Sequence, residues 1–209
     1  MSSANQISFQ PEPVTLEGSV VRLVPLSSGH VPDLWEVAKD SLEDTFRWIP
    51  ASMSSPEDFQ QAVAKALAEQ AAGLCVPFAT TELKSGRVVG STRFMSIDRA
   101  HRRVEIGGTW IAPGWQRTSV NTEAKYLMLR HAFETWKCIR VELKTDALNH
   151  RSRTAILRIG AKEEGTLRQH MITHSGRLRS SIYFSILDFE WPTVKAMLEG
   201  KLRSNGSKS

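Results

Sequence analysis

Strand and helix patterns alternate along this chain in an order that few folds accept. "RRVEIGGTWIA" (102–112) reads as a strand in which Gly107–Gly108 suggests a bulge or a close backbone approach. A polar turn follows, then a helix through Trp136 whose Ala124, Leu127, Met128, Ala132, Phe133 and Trp136 share one face. "IRVELKTDA" (139–147) is a second strand, and "NHRSRTAILRIG" (149–160) a helix with Asn149 as N-cap and Gly160 just past its end. Upstream lie a strand over 19–26 and helices over 30–40 and 55–73, the second opened by Ser55 and Pro56. Strands over 75–83 and 87–97 follow, joined by a short "KSG" turn. Downstream are strands over 161–172 and 177–187 around "HSG", and a last helix over 190–202. The order β-α-α-β-β-β-α-β-α-β-β-α argues for one α/β (α+β) domain with a mixed, mostly antiparallel sheet flanked by helices.

A chain of 209 residues is enough for one such domain and can bury about two-thirds of its unfolded surface. The expected organisation is a disordered extension over 1–13, the domain over 14–202 and a flexible tail over 203–209. Two cysteines, Cys75 and Cys138, lie far apart without metal-ligand spacing, which fits a reducing compartment better than a disulfide scaffold. The first residues carry no signal-peptide pattern, and no apolar run approaches the roughly 20 residues that span a bilayer. A cytoplasmic protein with no membrane partner is expected. The net charge of +5 is spread along the chain except for the tail "KLRSNGSKS", so it reads as a solvated surface rather than a nucleic-acid stripe. An anionic small ligand would also suit it.

Several residues stand out against this background. In "GWQRTSVNTEAKYLML" (114–129) a polar turn meets the open N-terminus of a helix, where unpaired amides and the helix dipole suit an anion. The competing reading is a plain helix cap supplied by Ser119 or Asn121. Glu105 interrupts an apolar strand and faces the side opposite Val104 and Ile106. Its plainer reading is an ion pair with Arg102, Arg103 or Arg140. Trp110, amid apolar alternation, reads first as core. His101, His150, His170 and His174 show no joint metal-ligand spacing, and no metal is expected. Cys138 reads as buried rather than nucleophilic.

The strings "VEIGGTWIAPGWQ", "NTEAKYLMLRHAFE", "RVELKTDALNHRSRTAILRIGAKEEGTLRQH" and "SSIYFSIL", in this order, resemble the GNAT superfamily of acyl-CoA N-acyltransferases, and within it the RimJ/RimL-like, ribosomal-protein N-acetyltransferase branch. The resemblance runs over roughly residues 14–192. It implies that Gln116, Arg117, Thr118, Ser119, Val120, Asn121 and Thr122 wrap the pyrophosphate of acetyl-CoA. The family's usual signature there is Gln/Arg-x-x-Gly-x-Gly/Ala; aligned on Gln116, its glycine positions hold Ser119 and Asn121, a clear departure. It implies further that the strand around Trp110, Ile111 and Ala112 offers an amide to the thioester oxygen, and that Asn149 and Ser152 lie by the pantetheine arm and thiol. Glu105 corresponds to an acid near the amine, and Trp48 in "FRWIP" (46–50), Trp110 and Tyr183 fall on the acceptor side. The implied activity is transfer of an acetyl group from acetyl-CoA to a small-molecule or peptide amine, with a homodimer as one assembly open to it. Two other readings remain: an acyl-CoA-binding or sensory protein without turnover, motivated by the altered turn, and a ribosome- or RNA-binding module, suggested by the basic balance alone.

Overall fold

The structure, a computed structural model, describes residues 9–206. Eight strands form one sheet: β1 (Leu16–Glu17), β2 (Val21–Pro25), β3 (Val76–Glu82), β4 (Val88–Asp98), β5 (Arg103–Ile111), β6 (Arg140–Asp146), β7 (Lys162–Ile172) and β8 (Leu178–Leu187). Their order is β1-β2-β3-β4-β5-β6-β8-β7, antiparallel throughout except for the parallel pair β5 and β6. The helices are α1 (Val31–Ala38), α2 (Leu42–Phe46), α3 (Pro56–Ala71), α4 (Ser119–Arg130), α5 (His150–Arg158) and α6 (Trp191–Gly206). No described helix is long and apolar enough to cross a membrane.

Local chemistry accounts for most of these bounds. Ser55 caps α3 by accepting from the Asp58 amide at 3.2 Å, with Pro56 at the first helical position. Strand β1 and helix α2 have no counterpart in the sequence analysis, because two and five residues are too few to display a period. The six apolar residues expected to face the core from the 119–136 helix are all buried, but α4 gives way at His131–Thr135 to a π-helical turn.

Alternate side chains of the sheet feed two cores. On one face Val21, Leu23, Phe78, Phe94, Val104 and Ile106 pack with α4 and α6; on the other, Ala79, Val88 and Trp110 pack with α1–α3. The ends differ from expectation. Phe9, within the stretch expected to be disordered, is buried with its ring 5.2 Å from that of Trp136. Helix α6 continues past Leu202 through Gly206. Residues 1–8 and 207–209 lie outside the described residues, and with them the rest of both expectations.

Lys125 is the exception among the buried residues of α4. Its Nζ donates to Thr109 Oγ1 at 2.5 Å and to Thr92 Oγ1 at 3.3 Å, with no carboxylate among these partners, and burial pushes its pKa down to about 7. The folded chain is then short of one proton relative to the unfolded chain between about pH 7 and the ordinary lysine value, so stability from this group rises with pH across that window, by at most about 1.4 kcal/mol per unit. Lys125→Met should remove this slope. Urea denaturation of both proteins at about pH 7 and about pH 9 should show the variant losing ground to the parent as pH rises; parallel profiles would mean the amine stays protonated in the fold.

Candidate active site

The sheet forks at its centre. β5 and β6 are in register at three positions, Arg103 with Arg140, Val104 with Val141 and Glu105 with Glu142. Beyond them the strands part, β5 running on to Ile111 and β6 to Asp146. Glu105 stands at the last paired position, 3% exposed. Its Oε2 accepts from Lys144 Nζ at 3.0 Å and from Ser96 Oγ at 3.3 Å. The arginine pairing considered for Glu105 is therefore corrected: Arg103 and Arg140 turn to Glu142, at 3.4 and 2.8 Å, and beyond it to Asp98 and Glu164. Oε1 of Glu105 faces Gly107, where an added Cβ would lie 2.9 Å away. Met95 Sδ would lie 2.6 Å from the same point, so glycine is what lets both side chains pack there.

The expected bulge follows at once. Ser91 pairs with Trp110 and Arg93 with Gly107, so Gly108 and Thr109 together oppose Thr92, and Gly108 takes a φ of +58° that favours glycine. Ala112 N donates to Val89 O at 2.8 Å. Its amide is committed to the sheet, and antiparallel alternation turns the Ile111 amide away from β4, toward the opening. Of Trp110, Ile111 and Ala112, Ile111 is thus the residue with an amide to offer. Trp110 is a core residue, its ring edge-on to Phe46 and Phe59 at 5.1 and 6.0 Å, which corrects its acceptor-side placement.

The polar turn has a geometry that explains its lack of glycine. The left-handed residue is Arg117, at φ +62°, while Ser119 and Asn121 lie within α4 itself. Neither position needs glycine's freedom. The cap is Thr118, not Ser119 or Asn121: its Oγ1 accepts from Val120 N at 3.3 Å and donates to Trp115 O at 2.7 Å. Gln116 N donates to Pro113 O, so the amides left for an anion are those of Arg117, Thr118 and Ser119 with the next open one at Asn121, a narrower set than 116–122. The side chains of Val120 and Thr122 are buried, Thr122 Oγ1 accepting from Arg158 at 3.2 Å. Gln116 ties Ile111 O at 2.8 Å to Arg151 at 3.2 Å, which also reaches Asp44. One observation fits a polyanionic ligand here: the first turn of α4 holds no acid. Asn149 caps α5 through Oδ1, accepting from Ser152 N at 3.0 Å, so its amide NH2 is not needed for the cap.

On the face of Glu105 the cross-strand register aligns Lys144 with Tyr183 and Asp146 with Ser181. Lys144 Nζ lies 5.7 Å from the Tyr183 ring centroid. The loop after α2 reaches over this face: Trp48 O accepts from Arg179 Nη1 at 3.1 Å, Pro50 O from His174 N at 2.8 Å, and the Trp48 ring meets the guanidinium groups of Arg47 and Arg177. Trp48, Tyr183 and Glu105 are thus brought to one face. Lys144 and Arg179 escaped the sequence reading; the signal that could have found Lys144 is its even spacing from Glu142 along β6, which puts both on one face. Cys138 is free and buried, its thiol pushed up to about 12 by burial. Among the described residues no three His, Cys, Asp or Glu side chains form a metal-sized cluster.

Residues 21–162 match a family model described as an acetyltransferase (GNAT) domain. The chain is 31% identical over 113 residues to YdaF of Bacillus subtilis (strain 168), provisionally named a ribosomal N-acetyltransferase; the match takes in 54% of this chain and 61% of that relative, less than two-thirds of its length. A GCN5-related N-acetyltransferase from Brucella melitensis is similar at 32% identity with a TM-score of 0.85, covering 91% of this chain and 86% of that one. RimJ from Mycobacterium smegmatis, solved in complex with CoA-disulfide, is similar in fold, with a TM-score of 0.78 over 93% and 97% of the two chains at 21% identity.

Proposed function

The chain belongs to the GNAT acetyltransferase family, and we propose that it moves an acetyl group from acetyl-CoA to a primary amine, both substrates being bound together. The observation that carries the reading is the fork between β5 and β6, which leaves a buried carboxylate, Glu105, at its closed end and the glycine-free turn of α4 beyond its open end. Acetyl-CoA supplies an activated acetyl thioester. The amides of Arg117, Thr118 and Ser119 hold its pyrophosphate at the positive end of α4. The Ile111 amide donates to the thioester oxygen, where negative charge grows as the amine attacks. Asn149 binds the pantetheine arm through its free NH2, and the Ser152 hydroxyl donates to the departing sulfur. Glu105 takes a proton from the amine, directly or through water. Holding both substrates in one geometry supplies much of the acceleration. The acceptor is a small-molecule amine or a peptide N-terminus, the latter favoured by the likeness to a protein provisionally named a ribosomal N-acetyltransferase.

A screen of amines with acetyl-CoA, read by release of free thiol, tests this directly; thiol release that no amine accelerates would overturn it. The cofactor turn has its own test. Ser119→Glu places a like charge and extra bulk at the turn, so calorimetry should show acetyl-CoA binding weakened by at least roughly tenfold, about 1.4 kcal/mol. Equal affinity would move the phosphate site elsewhere.

A further inference from the structure

Around the acceptor face Lys144, Arg177 and Arg179 meet the carboxylates of Glu105 and Asp146. Glu105 is bonded by Lys144 at 3.0 Å. Asp146, 1% exposed, has both oxygens engaged: Oδ2 by Arg177 at 2.5 Å and Oδ1 by the Leu148 amide at 3.0 Å. Arg179 is the third cation, 6% exposed, and has no carboxylate of its own. Asp146 Oδ2 lies 3.8 Å from its Nε, within ion-pair range but beyond a hydrogen bond, and Nε is buried without a hydrogen-bond partner. Nη1 is spent on Trp48 O. A buried cation with an unmet donor is costly to keep unless something completes it. Burial indeed opposes the charge on Arg179, and the fields of Asp146 and Glu105 favour it, which puts Arg179 in the same electrostatic neighbourhood as the candidate base.

We propose that the acceptor carries a carboxylate close to its amine, and that Arg179 takes this carboxylate while the amine faces Glu105. The proposal rests on the acetyl-transfer reading above and deepens it by naming the substrate class. A guanidinium presents its donors in a planar fork that matches a carboxylate, and Nε belongs to the edge that Trp48 leaves open. The added anion would meet the Arg179 donor that neither Asp146 nor Trp48 satisfies. A polyamine offers Arg179 no acceptor and would set further cations beside it, so it is disfavoured. The matching carboxylate has two sources: the α-carboxylate of a free amino acid, or an acidic side chain next to a peptide N-terminus.

The test uses the full chain, acetyl-CoA and paired acceptors, read by thiol release. One arm compares a free amino acid with its C-terminal amide; the other compares peptides whose second residue is Glu or Gln. In the arm that matches the natural source, the carboxylate member should have the higher kcat/KM by roughly 10–100-fold, the scale of a hydrogen bond to a charged group. Arg179→Met should erase that preference by lowering kcat/KM for the carboxylate member by the larger factor, and Arg179→Lys should restore part of it. Equal turnover within both pairs of the parent protein overturns the proposal and needs no variant. So does an Arg179→Met that lowers both members alike, which marks a structural arginine. Turnover confined to amines without carboxylates overturns it too but leaves acetyl transfer standing. Turnover of no amine at all overturns both.

Discussion

Glu105→Gln should lower kcat by roughly 10²–10⁴-fold with a proven acceptor, the usual scale for a positioned acid or base. Glutamine keeps the shape of the side chain and an oxygen for Lys144 and Ser96, the two donors on Oε2. What it loses is the capacity to take a proton. An amine with the pKa of a lysine, about 10.4, is almost wholly protonated at neutral pH and cannot attack until it gives up a proton; an α-amino group, at about 7.7–8.0, needs less help. The deficit should therefore shrink as pH rises and solvent deprotonates the amine, and should be smaller for α-amines than for lysine-like ones. Ser152→Ala, argued to act on the departing sulfur, should cost less and show no rescue by pH. Acetyl-CoA affinity should survive the Glu105 change, because the cofactor turn lies at the far end of the fork. Full turnover by Glu105→Gln would reduce the residue to a buried partner of Lys144.

The largest effect on stability should come from Glu123→Ala. Glu123 lies in the second turn of α4, 4% exposed, and its carboxylate accepts from Ser19 N at 3.0 Å, Ser19 Oγ at 2.8 Å, Val20 N at 2.6 Å and Val21 N at 2.7 Å. It pins the turn between β1 and β2 onto the helix. Gly18 permits the approach: a Cβ there would lie 2.4 Å from the carboxyl carbon. Truncation strands three backbone donors, the Val21 amide buried and those of Ser19 and Val20 part-buried; at about 1–3 kcal/mol for a buried unmet donor and less for the others, a total loss on the order of 2–4 kcal/mol is expected. Urea denaturation measures it, and a loss under about 1 kcal/mol would mean that water reaches the amides. Since α4 also opens at the turn proposed to hold acetyl-CoA, excess acetyl-CoA should restore part of the lost stability by binding the folded form.

Glu123 and Glu105 show what kind of information a sequence withholds. Both are buried acids, yet the groups that bond Glu123 lie 102–104 residues away along the chain, and the cation that bonds Glu105 lies 39 away. Such partners depend on which strands become neighbours and in which register, and a shift of one residue would turn Lys144 to the opposite face. The turn at 116–121 mixes the two levels. That a polar turn should precede a helix N-terminus is local and was legible from residue types. That Arg117 rather than Ser119 or Asn121 takes the left-handed backbone, and that Thr118 is the cap, depends on the angle at which β5 delivers the chain to α4.

By itself the sequence determined the longer elements, their order, the single mixed α/β domain and the family resemblance, because periodicity, caps and turn residues act over a few positions. It also placed Glu105 on the face away from Val104 and Ile106, since side chains in a strand alternate. Tertiary structure alone decided that Phe9 joins the core beneath α4, that β5 and β6 part just beyond Glu105, and that Arg179 is left without a carboxylate of its own. Each of these follows from how distant segments fill one volume, and no short-range pattern encodes that.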